Sequence, residues 1–470
     1  MNFFLWIDMD SHKKSTRREM LCRAAGGFGG LALGGMLAEQ DGHVARGAAT
    51  HWPAKAKRVI FLYMTGGVSH VDSFDHKPSL YRDHGKTIPV DNWQGKPGSY
   101  APYLKTPDWE FQHGGQCGTM VSDLFPHVRR MVDELAVIRS MHTEHANHYE
   151  STLGMHCGSW TFARPSLGSW LTYGLGTENA DLPGFVVVAP AEPYAGAQAW
   201  SSDFLPAIHQ GTRIRPGRDP VPNLRRRVAD EELQRLELAL LGEANREHLR
   251  QRAGDRHLEG VIQSFETAYG MQQAAPGLFD LTQESQATLD LYGVQPGDSA
   301  GFGWQCLMGR RLSEMGVRFV ELIDSGSSGN WDSHANMQDH VARAGNVDRP
   351  IAALLQDLKQ RGLLDETLVV WTTEFGRTPY HEEANHPGRE HHRHVFSSWL
   401  AGAGVRGGSV YGASDEYGMQ VAEDGVHVHD FHATILALMG IDHERLTYRH
   451  AGRDYRLTDV HGTVVPALFA

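Results

Sequence analysis

The sequence predicts an α/β fold: a mainly parallel central sheet with helices on both faces, and a helical insertion. Two observations support this prediction. Short apolar, β-branched runs alternate along the chain with longer helical patterns, as strands and helices do around a parallel sheet. Several of these apolar runs are followed directly by polar, histidine-rich segments. Because open α/β sheets bind ligands at the carboxyl ends of their strands, we expect one shared site at one edge of the sheet.

The bulk composition is that of a globular protein with no basic surface. The chain has 470 residues, 41% of them hydrophobic and 21% charged, which is enough for one large domain or two ordinary ones. The net charge of -12 argues against nucleic acid and anionic membranes as partners. Of the four cysteines, Cys22 lies in a predicted export signal, and the remaining three are widely spaced. An odd number argues against a complete disulfide framework, and the absence of C-x-x-C argues against thiolate zinc.

Residues 1–50 are predicted to be a twin-arginine signal peptide and linker, preceding a single domain at 51–470. The pair Arg17-Arg18 precedes a Gly/Ala/Leu segment at 24–37, and small residues suited to cleavage follow it. That segment is too short and too glycine-rich for a stable membrane span. We therefore expect export of the folded protein by the twin-arginine machinery to the periplasm or the medium. The alternative is a disordered basic leader.

Strands are assigned where apolar runs stop at turn residues, and the first stops at Gly66-Gly67, which allow a tight turn. Helices are assigned from apolar periodicity and capping residues, such as Thr282 and Asp430. Residues 190–300 change to a helical, charged pattern, which we interpret as the insertion. The predicted strands lie at 58–64, 135–140, 185–189, 317–323, 367–372 and 395–401. The predicted helices lie at 123–134, 166–175, 224–251, 261–269, 282–291, 302–315, 350–361 and 430–439.

Four polar clusters follow predicted strands or lie between them, and each contains residue types that bind metals. They are His70 with Asp72, the run from 142 to 148, Asp332 with His334, and Glu374 with His391 and His392. Each cluster alone has an ordinary explanation, either a capped turn or a solvated loop. At equivalent positions of one sheet they favour a shared site. Mixed imidazole and carboxylate ligands suit Zn or Mn, and a mainly carboxylate pocket would suit Ca.

Two such metals lying close together can clamp the attacking and leaving oxygens of a phosphoryl or sulfuryl group. Arg377 could add a fork of donors for a tetrahedral oxyanion. The alternative for Arg377 is a surface salt bridge with Glu374 or Glu382.

Several segments resemble a secreted family catalogued as domain of unknown function 1501. They are residues 57–75, Asn330-Trp331-Asp332-Ser333-His334, residues 373–379 and Leu457-Thr458-Asp459-Val460. That family is grouped with the alkaline phosphatase and sulfatase superfamily. The resemblance implies an alkaline-phosphatase-like sheet with a metal site at its strand ends. It also implies a divalent-metal hydrolase of sulfate or phosphate esters, acting on a small molecule or a polysaccharide.

The resemblance places the metal ligands among seven residues: His70, Asp72, Asp332, His334, Glu374, His391 and His392. The superfamily pattern for the nucleophile meets Asn147-His148 here, so neither cysteine nor serine stands at that place. We therefore expect Thr143, His148 and Arg377 as catalytic residues, with Thr143 as the nucleophile. Direct attack by a metal-bound hydroxide is the alternative mechanism. The alternative function is a non-catalytic, metal-stabilised binding protein on a degenerate phosphatase scaffold.

Overall fold

The centre of the described chain is a nine-stranded sheet. The structure is a computed structural model that describes residues 50–91, 97–221, 231–252, 262, 266–267, 269–272 and 277–470. In chain order the strands of this sheet are β1 (Arg58–Tyr63), β2 (Leu135–His142), β3 (Phe185–Val188), β4 (Thr212–Ile214), β5 (Phe319–Ile323), β6 (Thr367–Thr372), β7 (Phe396–Gly402), β8 (Ser409–Tyr411) and β9 (Val426–His427).

The spatial order of the strands is β8-β2-β7-β6-β1-β5-β3-β4, and β9 also pairs with β2. Strands β6, β1, β5, β3 and β4 are mutually parallel, with Phe61 of β1 opposite Val370 on one side and Glu321 on the other. Strand β7 is antiparallel to both of its neighbours, β6 and β2. The predicted α/β class with a mainly parallel sheet is confirmed.

Helices cover both faces of this sheet. The α-helices with fully described bounds are α1 (Pro78–Arg82), α2 (His148–Cys157), α3 (Leu167–Leu175), α4 (Glu231–Gln251), α5 (Gln286–Tyr292), α6 (Phe302–Glu314), α7 (Asp339–Gln360) and α8 (Val428–Leu438). Further helical residues lie at 262, 266–267, 269–272 and 277–279. Shorter 3₁₀ helices lie at His70–Asp72, Val128–Glu134, Gly196–Trp200, Ala207–His209, Leu281–Gln283, Leu364–Glu366 and Pro466–Leu468.

Two-stranded antiparallel ribbons lie in the loops outside the central sheet. They pair Val90–Asp91 with Ser99–Tyr100, Tyr103–Leu104 with Tyr380–His381, Phe111–Gly114 with Thr119–Ser122, Gly376–Arg377 with His391–His392, Ala413–Ser414 with Val421–Glu423, and Tyr448–His450 with Arg453–Tyr455.

The core has one apolar cluster on each face of the sheet because successive strand residues point to opposite faces. Ile60 of β1 belongs to the cluster that contains Leu307 of α6 and Leu354 of α7. Its neighbour Phe61 belongs to the cluster that includes residues of α3 and α8, such as Leu436. Strands β3, β5 and β6 are buried along their whole length. This explains why they read as continuous apolar runs rather than alternating ones.

The structure corrects several predicted boundaries. The helix predicted at 350–361 begins at Asp339 and carries Pro350 in its interior. The predicted cap Asp430 lies in the first turn of α8, where it accepts a hydrogen bond from the N–H of the true N-cap, His427. Strand β4 joins the sheet from within the interval 190–300, which we had predicted to lie outside it.

The predicted signal peptide lies outside the described residues. None of the helices that the structure describes is long and apolar enough to cross a membrane.

Candidate metal centre

The topology brings five chain segments to one edge of the sheet. Strands β1, β5 and β6 are parallel and end at this edge. Strand β2 also ends there, because it is antiparallel to β7, which is itself antiparallel to β6. Strand β7 runs the opposite way, so the residues that precede it lie at the edge where the other strands end. His391, which precedes β7, can therefore meet Asp332, which follows β5.

His148 lies in the first turn of α2, where the side chain of Asn147 caps the helix by accepting the N–H of Tyr149. Its Nδ1 lies 2.7 Å from Oε1 of Glu374, which follows β6 and is fully buried. A carboxylate can only accept, so Nδ1 carries the hydrogen, and in the neutral ring Nε2 keeps its lone pair. Burial lowers the pKa of His148, but Asp332 and Glu374 outweigh burial and raise it. The Nε2 atom is buried, has no hydrogen-bond partner and lies 3.2 Å from Oδ2 of Asp332.

Two further histidines are held in the same tautomer. Nδ1 of His391 donates to the carbonyl oxygen of Ala146 at 2.7 Å. Nδ1 of His334 lies 2.8 Å from Oε2 of Glu390. Their Nε2 atoms face each other at 2.8 Å and lie 3.2 Å and 3.0 Å from Oδ1 of Asp332. In neutral rings both Nε2 atoms are acceptors, so this spacing requires a cation between them, either a proton or a metal ion.

These four residues, His148, Asp332, His334 and His391, are called the His–Asp cluster below. Ligand atoms of His148, Asp332 and His391 all lie within 4.8 Å of one another, and no other group of this kind occurs among the residues that the structure describes. Carboxylate or carbonyl acceptors on the far nitrogen are the usual support of metal-binding histidines. The buried, unpartnered Nε2 of His148 and the converging lone pairs fit a divalent metal ion.

The residues of the cluster shift one another's pKa values. Burial alone would raise the pKa of Asp332, but the neighbouring rings of His148, His334 and His391 and the charge of Arg377 hold that pKa far below its ordinary value. Hydrogen bonds to Asp332 and Glu390 raise the pKa of His334 to about 9. Burial lowers the pKa of His391, against the opposing effect of Asp332. Without a metal ion, the cation between His334 and His391 is therefore a proton on His334.

Glu374, a predicted metal ligand, lies behind His148. Besides His148 it accepts the N–H of Gly66 at 2.8 Å and the hydroxyl of Tyr63 at 3.1 Å. Burial would raise the pKa of Glu374, and the hydrogen bond and charge of His148 lower it below its ordinary value. His148, predicted as a catalytic residue, thus presents its Nε2 to the cluster, and Glu374, predicted as a metal ligand, orients the ring of His148.

Arg377, predicted to bind an oxyanion, is fully buried, and its guanidinium group is hydrogen-bonded within the protein. Its Nη2 donates to Oδ1 of Asp332 at 2.7 Å and to the carbonyl of Gly66. Its Nε donates to the carbonyl of Gly67 at 2.9 Å, and Nη1 reaches the carbonyl of Arg389 at 3.4 Å. Arg377 therefore positions Asp332 against the loop that follows β1.

Besides Glu374, three predicted ligands lie outside the His–Asp cluster because other partners hold them. His70 and His392 stack with ring centroids 5.8 Å apart, and their Nε2 atoms donate to the carbonyls of Gly418 and Met419. Asp72 forms a fully buried ion pair with Arg389, at 2.7 Å from its Nε. These residues join loops rather than facing the cluster.

Thr143, the predicted nucleophile, is also held elsewhere. Its hydroxyl oxygen accepts the indole N–H of Trp160 at 3.1 Å, and its backbone N–H donates to the carbonyl of Arg393. Of the two mechanisms predicted from sequence, this placement favours attack by water.

Tyr194 is a site residue that the sequence reasoning missed. It follows β3, another strand that ends at the same edge. Its ring stacks on the ring of His148 with centroids 4.0 Å apart and an angle of 8°. Its hydroxyl oxygen accepts Nδ2 of Asn330 at 3.0 Å. Burial, with the charges of Asp332 and Glu374, raises the pKa of Tyr194 to about 12. Its position shortly after a predicted strand is the sequence feature that could have indicated its place at the site.

A cavity of about 540 Å³ lies beside the cluster, and His334 and His391 form part of its wall. Most of the other wall residues are polar and include both donors and acceptors. They are Asp91, His145, Asn147, Thr378, Tyr380, Glu390, His392, Arg393, His394 and Gln420, with Val90 and Ala146 between them. A hydrophilic molecule fits this lining better than an apolar one.

The sequence matches the family described as "Protein of unknown function (DUF1501)" over residues 56–469. A comparison with curated proteins finds no match.

Among solved structures, three similar ones are a lipoteichoic acid synthase LtaP from Listeria monocytogenes, a PsFucS1 sulfatase from Pseudoalteromonas sp. and the C-terminal periplasmic domain of EcEptC from Escherichia coli, a complex with Zn. LtaP is 8% identical with a TM-score of 0.36, over 88% of this chain and 78% of its own. The sulfatase is 12% identical with a TM-score of 0.34, over 88% and 71%. EcEptC is 9% identical with a TM-score of 0.34, over 84% and 87%.

Proposed function

This chain belongs to the DUF1501 family of proteins of unknown function, and from the geometry of its His–Asp cluster we propose that it is a metal-dependent hydrolase of phosphate or sulfate esters. The observation that carries the proposal is the set of three histidines whose Nδ1–H groups are all engaged. Their Nε2 atoms converge on the carboxylate of Asp332, at 3.0 to 3.2 Å. This arrangement binds a divalent cation, and the imidazole and carboxylate donors favour Zn or Mn over Ca.

The residues of the site would have distinct roles in the reaction. His148, Asp332, His334 and His391 would hold the ion, and Glu374, Glu390 and the carbonyl of Ala146 fix the three rings. The ion would supply Lewis-acid polarisation of a phosphoryl or sulfuryl oxygen. The adjoining cavity would bind the rest of the ester, and its polar wall favours a hydrophilic small molecule or a polysaccharide. Attack by water suits a site in which Thr143 is engaged with Trp160.

We further propose that the protein reaches the periplasm or the medium through the predicted twin-arginine signal at 1–50. Export in the folded state would let the protein take up its metal ion before it leaves the cytoplasm. Release of a reporter fused after residue 50, lost when Arg17 and Arg18 are both replaced by Lys, would test this route.

The activity is tested with a panel of aryl and sugar phosphates and sulfates, hydrolysed by protein never exposed to chelator. We expect turnover of at least one ester class, and a loss of more than about a hundredfold in His391→Asn, since even outer partners of a metal ligand cost up to that factor. The matched control is His113→Asn, because His113 contacts only the carbonyl of Gly118 among its described partners. Equal activity of both variants would refute the assigned site.

A second function, a metal-stabilised binding protein without turnover, is favoured by one observation. The predicted nucleophile and the predicted oxyanion-binding arginine are both engaged in other contacts. Under this alternative His391→Asn lowers thermal stability, while the wild-type protein hydrolyses none of the esters.

A further inference from the structure

A tetrahedral ester group needs hydrogen-bond donors for its non-bridging oxygens, in addition to a metal ion. Arg377 cannot supply them, because its guanidinium nitrogens already donate to the carbonyls of Gly66, Gly67 and Arg389 and to Asp332. It has no exposed surface. Turning it toward a substrate would release Asp332 and leave three carbonyls unpaired. The donor must therefore come from another residue beside the cluster.

Tyr194 has the required geometry. Its ring lies flat on His148 at 4.0 Å, which places the phenol beside the cluster. Asn330 donates to its oxygen from Nδ2 at 3.0 Å, and Oδ1 of the same amide accepts the N–H of Asp332 at 3.2 Å. The phenol oxygen is thus tied to the loop that carries Asp332. Within the described residues its own hydrogen has no acceptor, and the side chain is partly exposed.

We propose that Tyr194 is a catalytic residue that donates a hydrogen bond to a non-bridging oxygen of the phosphate or sulfate group, a proposal that rests on the ester-hydrolase function above. The amide of Asn330 fixes the phenol as an acceptor, so the hydroxyl hydrogen points away from that amide. Stacking on His148 restricts the ring. A donor held in this way need not reorganise when charge develops on the ester oxygens, which is what makes such donors effective.

The test compares Tyr194→Phe with Tyr149→Phe. Both remove one phenol oxygen and keep the ring. Tyr149 neighbours His148 on α2, but its hydroxyl donates to Oε1 of Gln198 on the surface. The first readout is the affinity for orthovanadate and inorganic phosphate, measured by calorimetry on the zinc-loaded protein. The second is kcat/KM for esters with leaving groups of different basicity. Zinc content is measured for each variant.

We expect Tyr194→Phe to bind orthovanadate about tenfold more weakly and to lose about 10²-fold in kcat/KM, the lower range for loss of one oxyanion donor. The loss should be equal for good and poor leaving groups, because the bond is made to a non-bridging oxygen. Zinc content and the Tyr149→Phe variant should be unchanged. Unchanged vanadate affinity in Tyr194→Phe would overturn the proposal, as would a loss that grows with the basicity of the leaving group.

Failure of the proposed ester-hydrolase function would give different results in the same experiments. If the wild-type protein binds zinc and vanadate but hydrolyses no ester, a weaker vanadate affinity in Tyr194→Phe still supports the assigned hydrogen bond. If the zinc-loaded wild type binds neither vanadate nor phosphate, both the site and the role of Tyr194 are wrong.

Discussion

Replacing Asp72 by Asn separates a structural role of this residue from the ligand role that the sequence suggested. Asp72 and Arg389 are both fully buried. Asp72 also accepts Oγ of Ser69 at 2.5 Å and the N–H of Asp108 at 3.1 Å. Burial would raise its pKa, but the charge of Arg389 and the hydroxyl of Ser69 lower that pKa. Asp72→Asn removes the charge and turns an amide donor toward the guanidinium.

The expected loss of folding stability depends on the hydrogen bonds that Arg389 retains. Breaking a buried ion pair costs about 3–5 kcal/mol. Arg389 still donates to the carbonyls of Thr378 at 3.1 Å and Thr106 at 3.0 Å, so we expect the lower value, about 3 kcal/mol. Unfolding entropy of about 2.1 cal/mol/K per residue gives about 0.9 kcal/mol/K for the compact unit Gly47–Ala470. The melting temperature should therefore fall by about 3–4 °C.

Differential scanning calorimetry with metal analysis on the same samples checks this expectation. Asp454→Asn is the matched control, because its ion pair with Arg449 is exposed and should shift the melting temperature by less than about 1 °C. The double variant Asp72→Asn/Arg389→Met should recover part of the loss, since no charge is left buried. An unchanged melting temperature with lost metal would refute the structural role and restore Asp72 as a ligand.

Three further outcomes are expected. Glu374→Gln should weaken zinc binding 10–100-fold by calorimetry, because His148 loses the carboxylate that fixes its tautomer. Because the pKa of His334 is about 9 without metal, zinc must displace its proton at lower pH. Apparent zinc affinity should therefore rise about tenfold per pH unit between pH 6.5 and 8.5, and less steeply in His334→Gln. Gly66→Ala should lose metal, as a Cβ at φ +111° would lie 2.8 Å from the N of Asp332. Gly85→Ala, at φ +77° with open space, should lower stability alone, by about 1 kcal/mol.

Much of the fold can be predicted from the local pattern of apolar and polar residues in the sequence. The buried parallel strands are continuous apolar runs, and the polar residues after them identified Asp332 and His334 as members of one site. His391 precedes a strand, and it reaches the same edge only because β7 is antiparallel, a pairing that the local sequence does not reveal.

The division of roles at the site depends on contacts between distant residues. His148 and Glu374 are 226 positions apart, and only their contact shows which one offers a free ligand atom. Asp72 and Arg389 are 317 positions apart, so a buried ion pair could not be distinguished from a metal ligand. Tyr194 was missed because an aromatic residue after a strand is not among the usual ligand types, although its position was informative.

The most direct test of the metal centre is the metal content per chain, measured by elemental mass spectrometry on protein that has never met a chelator. The account predicts about one divalent ion per chain in the wild type and in Asp72→Asn, and its loss in Asp332→Asn. A folded wild-type protein without metal, or an Asp332→Asn variant that keeps its ion, would contradict the assignment of the His–Asp cluster.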